Sequence, residues 1–418
     1  MTVTTIPLRH VADVRVSNVD KKSADGEQPV RLCNYTDVYY NRVITPEMQF
    51  MTATATEAQV SRFRLQPGDT IITKDSETAD DIAVPTYVRE SADDLVCGYH
   101  LAVLRPDPDA MHPGFLNWAI ASDFCQEQFS VSATGVTRFG LKYESILGVS
   151  IPLPSLAEQR RVADFLDDQV SRINKLIELR QRQEQLASEH LNHWLDLRVQ
   201  QLTQAFGSAP IRRFVRGVEQ GGSPLADNIP AEPSCMGVLK TSAIKNGKFV
   251  ESENKALLDV NHLDSRSIVH QGDVLVVRGS GSGDLVADTA YVDLEPRSTL
   301  MLSDLVYRLR QPIVDPEFLT WVLLSRGVRG QIRSLVRQGS GPAKVRAEDI
   351  VSVQIPRAST TAQQELASGY AQRRNSVDST LDQLQAGCLL LVERKRALIT
   401  ATVTGEFDSS TASGRSIA

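Results

Sequence analysis

The sequence repeats itself at a spacing of about 204 residues, and this internal repeat limits the possible folds more than any other feature. Three landmarks recur in the same order. They are a Gly-Asp pair before an apolar run (Gly68-Asp69 and Gly272-Asp273), a Pro-x-Phe-Leu-x-Trp segment (from Pro113 and from Pro316), and an Ile-Pro pair followed by a glutamine (Ile151-Pro152 with Gln159, and Ile355-Pro356 with Gln363). A chain built from two similar halves should fold into two similar globes and carry two similar sites.

Composition is that of an ordinary soluble globular protein. The 418 residues are 41% hydrophobic and 23% charged, which predicts two to four domains. The five cysteines are odd in number, scattered and never in Cys-x-x-Cys spacing, as expected in a reducing cytoplasm and not in a zinc site. There is no apolar run of about 20 residues and no secretory pattern at the N-terminus, so we expect a cytoplasmic protein that does not contact a membrane.

Two long helices are predicted, one after each half. The Ser155 and Glu158 spacing is a capping box, and no Gly or Pro follows until after Phe206. A second helix is predicted from Gln363 to about Thr404, with apolar residues alternating in steps of four and three. Two matched apolar stripes on one chain favour an antiparallel pair, while packing of each helix on its own globe and homodimerisation are the alternatives.

The predicted fold class is therefore α+β, with two globular domains separated by two long helices that form an antiparallel coiled coil in a pseudo-twofold repeat. Short strands bounded by Gly, Pro and Asp alternate with helical segments in each globe, for example a helix from Phe115 to about Phe129. The predicted boundaries are residues 1–152 for the first globe, 153–206 for the first helix, 207–356 for the second globe, 357–407 for the second helix and 408–418 for a disordered polar tail.

Motifs for catalysis are missing from the sequence. There is no phosphate-binding loop of the Gly-x-x-x-x-Gly-Lys-[Ser/Thr] type, no Asn-Pro-Pro-Tyr-like tetrapeptide and no metal-ligand spacing among the seven histidines. The glycine-rich segment that follows Arg278 lacks the lysine of a nucleotide cradle, which favours a flexible hairpin or a DNA-facing loop. We expect no catalytic residue, no metal site and no cofactor in this chain.

Basic residues cluster in the second globe although the net charge is −6, a total that by itself argues against nucleic-acid binding. Arg326, Arg329, Arg333 and Arg337 recur at spacings of three, four and four, which predicts one basic stripe on a helix. A Gly/Ser loop with further cations follows, and this combination suits phosphate contacts, with loop backbone near the bases. The alternative is a solvated basic face paired with acids elsewhere.

The first half has an equivalent loop, which begins at Thr134, but the segment before this loop is much less basic, so the two sites should differ in what they read. The candidate DNA-binding residues are Lys74, Thr134, Gly135, Thr137, Arg138 and Lys142 in the first half, and Arg278, Arg329, Arg333, Arg337, Gly339, Ser340, Lys344 and Arg346 in the second.

The segment IPLPSLAEQRRV that starts at Ile151 resembles a junction in the specificity (S) subunits of type I restriction-modification systems. In that family the junction joins the first target-recognition domain to the first spacer helix. The segment from Val30 to Tyr39, the Gly-Gly-Ser-Pro sequence at Gly221 and the loops before each helix also resemble the family. The second junction departs from the pattern, because Arg357 and Ala358 follow Pro356 and the second proline is missing.

The resemblance implies a DNA-binding subunit without catalytic activity. Each globe would read one half of an asymmetric, bipartite site in double-stranded DNA from the major groove, and the helix pair would set the distance between the halves. The implied partners are two modification (methyltransferase) subunits that carry S-adenosylmethionine, and restriction (motor-nuclease) subunits that use ATP and Mg. The alternatives are a specificity subunit of a methylation-only system and a coiled-coil scaffold with two protein-binding globes.

Overall fold

The computed structural model describes residues 4–233, 235–258, 265–281, 285–337 and 343–408. Contacts divide the chain into two compact units, Met1–Arg180 with Gln385–Ala418, and Gln181–Leu384. Apart from Asp408, the predicted tail lies outside the described residues, and so do Gly339 and Ser340. Among the described residues no helix is long and apolar enough to cross a membrane.

The first unit contains the first globe and one part of each long helix. Its elements are β1 Thr5–Pro7, β2 Ala12–Val16, β3 Gln28–Cys33, α1 Tyr35–Tyr39, β4 Val43–Ile44, β5 Met51–Ala55, α2 Glu57–Phe63, β6 Thr70–Thr73, β7 Asp75–Ser76, β8 Pro85–Val88, β9 Leu95–Cys97, β10 Leu101–Pro106, α3 Pro113–Ala121, α4 Asp123–Ser132, β11 Thr134–Gly135, β12 Phe139–Gly140, α5 Tyr143–Gly148 and β13 Ser150–Pro152.

The second unit contains the second globe. The long helix α6, Leu156–Phe206, leads into it and continues from the first unit. The remaining elements are β14 Ser208–Pro210, β15 Gly217–Gln220, β16 Met236–Leu239, β17 Ile244–Lys245, β18 Gly247–Phe249, β19 Asn254–Ala256, β20 Val274–Val277, β21 Gly279–Ser280, β22 Thr289–Tyr291, β23 Thr299–Met301, β24 Val306–Arg310, α7 Pro316–Leu324, α8 Arg326–Ser334, β25 Ala343–Lys344, α9 Ala347–Ser352, β26 Gln354–Pro356 and α10 Thr360–Val403.

The central sheets of the two globes have the same order. The first runs β2-β10-β6-β8-β4, and the second runs β15-β24-β20-β22-β18-β17. The middle strand β6 is buried at every position because the sheet is covered on both faces. Ile72 packs into the core that contains the α3 and α4 helices, while Ile71 packs into the core on the opposite face. The continuous apolar runs after each Gly-Asp landmark are therefore central strands.

The Gly-Asp landmark is a tight turn that is fixed to the neighbouring strand. Gly68 and Gly272 have φ of +92° and +93°, which glycine adopts without strain. The carboxylate of Asp69 accepts two hydrogen bonds from Arg105 at 2.8 and 2.7 Å. Asp273 is held in the second globe by Arg308 at 2.9 Å. The aspartate thus ties the start of a central strand to an arginine of the next strand.

The long helices pack antiparallel within each unit. In the first unit the ring of Phe165 stacks on Phe407, with centroids 5.7 Å apart. Further along α6, Asn174 accepts a hydrogen bond from Lys395 at 3.3 Å, so contacts move back along α10 as α6 advances. In the second unit Trp194 near the end of α6 stacks on Tyr370 near the start of α10. The predicted fold class is confirmed, and the helices also pack on the globe of their unit.

The predicted helix from Phe115 to about Phe129 is two helices, α3 and α4. Ser122 separates them because its backbone is extended and its hydroxyl caps α4, accepting a hydrogen bond from the Cys125 amide. Helical spacing of apolar residues continues through such a break, so the pattern alone does not reveal it.

The glutamine that follows each Ile-Pro pair joins helix to globe. The side-chain oxygen of Gln159 accepts a hydrogen bond from the His112 amide at 2.7 Å, and its nitrogen donates to the carbonyls of Ala110 and Pro154 at 3.1 and 2.9 Å. Gln363 in the second unit likewise accepts from the Asp315 amide at 2.8 Å. Both glutamines are buried, which explains why this landmark recurs.

We expect Gln159→Leu to lower the free energy of unfolding by about 2–3 kcal/mol, because it leaves buried backbone groups without a partner. Chemical denaturation of the full chain measures the change. The control is Gln183→Leu at an exposed position of the same helix, which should change stability by less than about 0.5 kcal/mol. Equal effects of the two substitutions would contradict the joining role.

Candidate nucleic-acid interface

A small hairpin on the first globe collects most of the candidate residues of the first half. Strands β11 and β12 pair with each other, and β12 also pairs with β7, which directly follows Lys74. The Leu141 amide donates to the Lys74 carbonyl at 2.9 Å. The strand end at Lys74 and the hairpin are therefore one structure, although about 60 residues of sequence separate them.

The tip of this hairpin is open to solvent. Thr134, Gly135, Thr137 and Arg138 are exposed, and Val136 is 93% exposed. The backbone turns closely at Gly135, where a Cβ would lie 1.9 Å from the Arg138 carbonyl oxygen, so the turn requires glycine. A narrow, exposed hairpin with one arginine has the dimensions and chemistry to enter a DNA groove.

Lys74 itself is held at the base of the hairpin. Its side chain is 14% exposed, and its ammonium lies 3.5 Å from the Asp75 carboxylate and 4.6 Å from the centre of the Tyr99 ring. His100 also reaches Asp75, with Nδ1 and Oδ2 2.8 Å apart. Lys74 therefore helps to shape the site, and Arg138 and Lys142 carry the exposed charge.

Tyr35, which sequence reasoning missed, lies beside this hairpin, with Tyr39 and Tyr40 close to it. Tyr35 and Tyr39 stack with centroids 5.4 Å apart, and Tyr40 is 77% exposed. Burial raises the pKa of Tyr35, while a hydrogen bond with Ser76 and the nearby Arg138 guanidinium act in the opposite direction. The signal was available, because the sequence places three tyrosines within six residues.

A hydrogen bond between Tyr39 and Asp81 fixes one of these rings. The Tyr39 hydroxyl donates to Asp81 at 2.6 Å, which raises the pKa of Tyr39 to about 12. The hydrogen bond therefore holds the Tyr39 hydroxyl on Asp81 and fixes the orientation of its ring.

In the second globe the same backbone contacts form the base of the candidate site, but the side chains there are different. Strand β21 pairs with β25, and the Val345 amide donates to the Arg278 carbonyl at 2.9 Å, as Leu141 does to Lys74. Arg337 and Lys344 exchange backbone hydrogen bonds of 2.9 and 3.1 Å. Three candidate cations therefore meet at one strand pair, and Arg346 follows immediately as the residue before α9.

The predicted four-arginine stripe is wrong in its last member. Helix α8 ends at Ser334, so Arg337 lies beyond it, on the bridge to Lys344. Arg329 is 16% exposed and lies 3.6 Å from the buried Asp288 carboxylate, so it has a structural partner. Arg326 faces Asp196, and Arg333 is exposed. Arg326 and Arg329 therefore fit the alternative interpretation of the stripe, in which its arginines pair with acidic residues elsewhere in the chain.

Arg278 is also tied into its globe. Its guanidinium donates to the Asp304 carbonyl at 2.9 Å and lies 5.7 Å from the centre of the Tyr307 ring. The exposed charge of the second site thus comes from Arg337 and Arg346 together with the half-buried Lys344. Within the described parts of the chain, no group of three or more His, Cys, Asp and Glu side chains is placed to hold a metal ion.

Comparison with known proteins agrees with this architecture. Residues 7–187 match the family model described as type I restriction modification DNA specificity domain. Over 138 residues the chain is 28% identical to the specificity subunit of the type I restriction enzyme EcoEI of Escherichia coli, a match that covers 32% of this chain and 23% of that relative. The matched part is therefore less than a quarter of the relative's length. The resemblance drawn from the junction motifs is confirmed.

Solved structures show the same fold. A chain from a type I R-M system, studied for its complex assembly and conformational transition, has a TM-score of 0.70 at 14% identity, covering 97% of this chain and 98% of that one. The HsdS subunit of Thermoanaerobacter tengcongensis has a TM-score of 0.50 at 14% identity, covering 97% of each chain. At this level of identity the likeness establishes the fold and leaves the site residues to be argued from the chain itself.

Proposed function

We propose, from the premise that this chain carries a type I restriction modification DNA specificity domain over residues 7–187, that it is the specificity subunit of a type I restriction-modification complex. It would read a bipartite, asymmetric DNA site, one half with each globe. The observation that carries the proposal is the repeated base of the site, with the Leu141–Lys74 bond in one globe and the Val345–Arg278 bond in the other. The same frame presents different side chains, as two different half-sites require.

The proposed domains are target-recognition domains at residues 1–152 and 207–356, with spacer helices at 153–206 and 357–407. In this proposal the chain is a non-catalytic cytoplasmic protein, since its chemistry is that of binding. Methyl transfer from S-adenosylmethionine and DNA cleavage driven by ATP and Mg would be functions of the modification and restriction subunits. Those subunits can also supply positive charge, which accounts for DNA binding by a chain with a net charge of −6.

Methylation in a host tests the proposal directly. The gene is expressed with its neighbouring methyltransferase gene, and sequencing of modified bases is expected to show one motif with two unlike halves and a fixed spacer. Mobility shift of the chain with its modification subunit compares that motif with a scrambled DNA. Equal binding to both DNAs would favour the scaffold alternative. In the native host, methylation of the motif without restriction of unmodified DNA would favour the methylation-only system.

Arg138→Ala is expected to relax base choice in one half-site only. If the guanidinium reads a base from the hairpin tip, its loss should reduce discrimination at one base pair by about 10- to 100-fold, corresponding to about 1–3 kcal/mol. Competition binding with single-base variants of the motif measures this change. Arg161→Ala, at an exposed position on α6, serves as the matched control and should leave discrimination intact. Relaxation in both halves, or in neither, would contradict a base contact.

A further inference from the structure

A salt bridge joins globe to long helix at the same place in each unit. In the first unit Asp123, the first residue of α4, donates its backbone N–H to Thr400 Oγ1 at 2.9 Å, and its carboxylate pairs with Arg396. In the second unit Arg326, the first residue of α8, donates its N–H to Asp196 Oδ1 at 2.7 Å.

The second of these contacts also has an ionic component. The Arg326 guanidinium lies 3.7 Å from the same Asp196 carboxylate. Asp123 and Arg326 are 203 positions apart, and Asp196 and Thr400 are 204 apart, so the repeat makes these positions equivalent.

The charges of the two contacts are reversed. The first globe contributes an acid and meets a base, Arg396, on α10. The second globe contributes a base and meets an acid, Asp196, on α6. Each arrangement is favourable, but the two are not interchangeable, because like charges in direct contact repel.

The repeated tryptophan shows a second reversal, independent of the first. The guanidinium carbon of Arg42 lies 4.3 Å from the centre of the Trp118 ring, so the cation on this ring comes from the globe. Trp118 Nε1 donates to Asp167 of α6 at 2.9 Å. The cation on Trp321 comes from the helix, since Arg374 of α10 lies 5.2 Å from that ring.

The globe side of each tryptophan site matches its own helix. In the second unit a Cβ on Gly247 would lie 2.1 Å from the Trp321 ring and 2.8 Å from Arg374 Nη1. The strand registers make Gly247 the equivalent of Arg42, since Lys248 pairs with Tyr291 as Val43 pairs with Tyr87. The second globe therefore has no side chain where the first globe has Arg42, and Val170 of α6 takes the place of Arg374. Each unit therefore brings one cation to its tryptophan, from opposite sides of the contact.

We propose that these two contact sets determine which globe packs on which part of the helix pair. We call this role the address of the globe. An exchange of globes would place Asp123 against Asp196, and Arg326 against Arg396. It would also bring Arg42 and Arg374 to one indole and leave the other indole without a cation. These are positioning residues, and they fix which globe occupies which position. The consequence, a fixed order of the two half-sites on DNA, rests on the proposed function.

Charge reversal in the full chain tests the salt bridge first. Asp123→Arg and Arg396→Asp are each expected to lower the Tm by about 2–4 °C, and the double variant should return to within about 1 °C of the parent. A double variant no more stable than the single ones would overturn the pairing role. In the second unit the variants are Asp196→Arg, Arg326→Asp and their double variant. A double variant no more stable than the single ones would overturn the pairing role there too.

Exchange of the globes tests the address itself. A chain in which residues 5–152 and 208–356 are interchanged is expected to unfold at least about 5 °C below the parent. A repaired chain would combine that exchange with Asp123→Arg, Arg326→Asp, Arg42→Gly and Gly247→Arg. Its Tm should recover to within about 2 °C of the parent, and with the modification subunit it should methylate the motif with its halves in reverse order.

The outcomes separate the address from the DNA role. An unrepaired exchange as stable as the parent, or a repair that restores no stability, would overturn the address. A repaired chain that regains the parental Tm but supports no methylation, when the parent also supports none, would support the address and count against the proposed function. Reversed half-site order in the repaired chain would support both, since a contact that serves only stability would not change the DNA motif.

Discussion

Replacing Arg337, Lys344 and Arg346 together by alanine is expected to weaken DNA binding by about 10²-fold at near-physiological salt. These cations lie on the strand bridge and at the start of α9 in the second globe, and Arg337 and Arg346 are exposed. The partner of Arg346 is Glu348 at 3.0 Å, an exposed pair that holds the arginine weakly and leaves it able to bind phosphate. Each contact with a phosphate releases counterions from the DNA. The loss of a contact therefore reduces the dependence of the binding constant on salt concentration.

The slope of log K against log salt should fall in magnitude by about 2–3 in the triple variant, with no change in the preferred motif. The measurement is binding of the chain with its modification subunit over a salt series. A matched control removes the same charge where the globe joins its helices, with Arg212, Arg213 and Arg357 replaced by alanine. An unchanged slope in the first variant, or an equal loss in the control, would contradict a phosphate-binding role for the strand bridge.

Arg105→Met is expected to lower the free energy of unfolding by about 3–5 kcal/mol, the largest stability effect we anticipate. Its partner Asp69 is 1% exposed and accepts two of the three hydrogen bonds of the guanidinium, so the variant would bury an uncompensated carboxylate. Chemical denaturation measures the change. The double variant Asp69→Asn with Arg105→Met should recover part of the loss, because it removes the unpaired charge.

The second globe supplies a graded comparison for this prediction. Arg308→Met breaks the equivalent contact, but the side chains of Asp273 and Glu219 are 19% and 22% exposed and keep access to water. We therefore expect a smaller loss than for Arg105→Met. Arg64→Met, which breaks an exposed pair with Asp93, should cost less than about 1 kcal/mol. An order of effects other than Arg105, Arg308, Arg64 would show that burial does not set the cost.

The repeat made the fold predictable from the sequence. The landmarks that recur have the same role in both globes: Asp69 and Asp273 anchor central strands, and Gln159 and Gln363 join helix to globe. Each role depends on a few hydrogen bonds to nearby backbone or to one arginine. Such contacts require the same residue type in both halves, so comparison of the halves finds them.

The candidate site was less predictable because its geometry depends on contacts distant in sequence. Spacing placed Arg337 on a helix with Arg333, but the chain leaves the helix at Ser334 to pair Arg337 with Lys344. Spacing also counted Arg329 as available, although Asp288, 41 positions earlier in the chain, lies beside it. No helical periodicity encodes the position of Asp288, which lies in the segment directly before β22.

The first and last strands of each globe pair with each other, β1 with β13 and β14 with β26. The chain therefore enters and leaves each globe through two paired strands. A pulling force between the start of such a globe and the helix that follows would load three residue pairs of this strand clip, from Thr5 with Pro152 to Pro7 with Ser150 in the first unit. Ile151 of this clip is also buried in the core that contains α3 and α4, so tension that opens the clip would disturb that core as well.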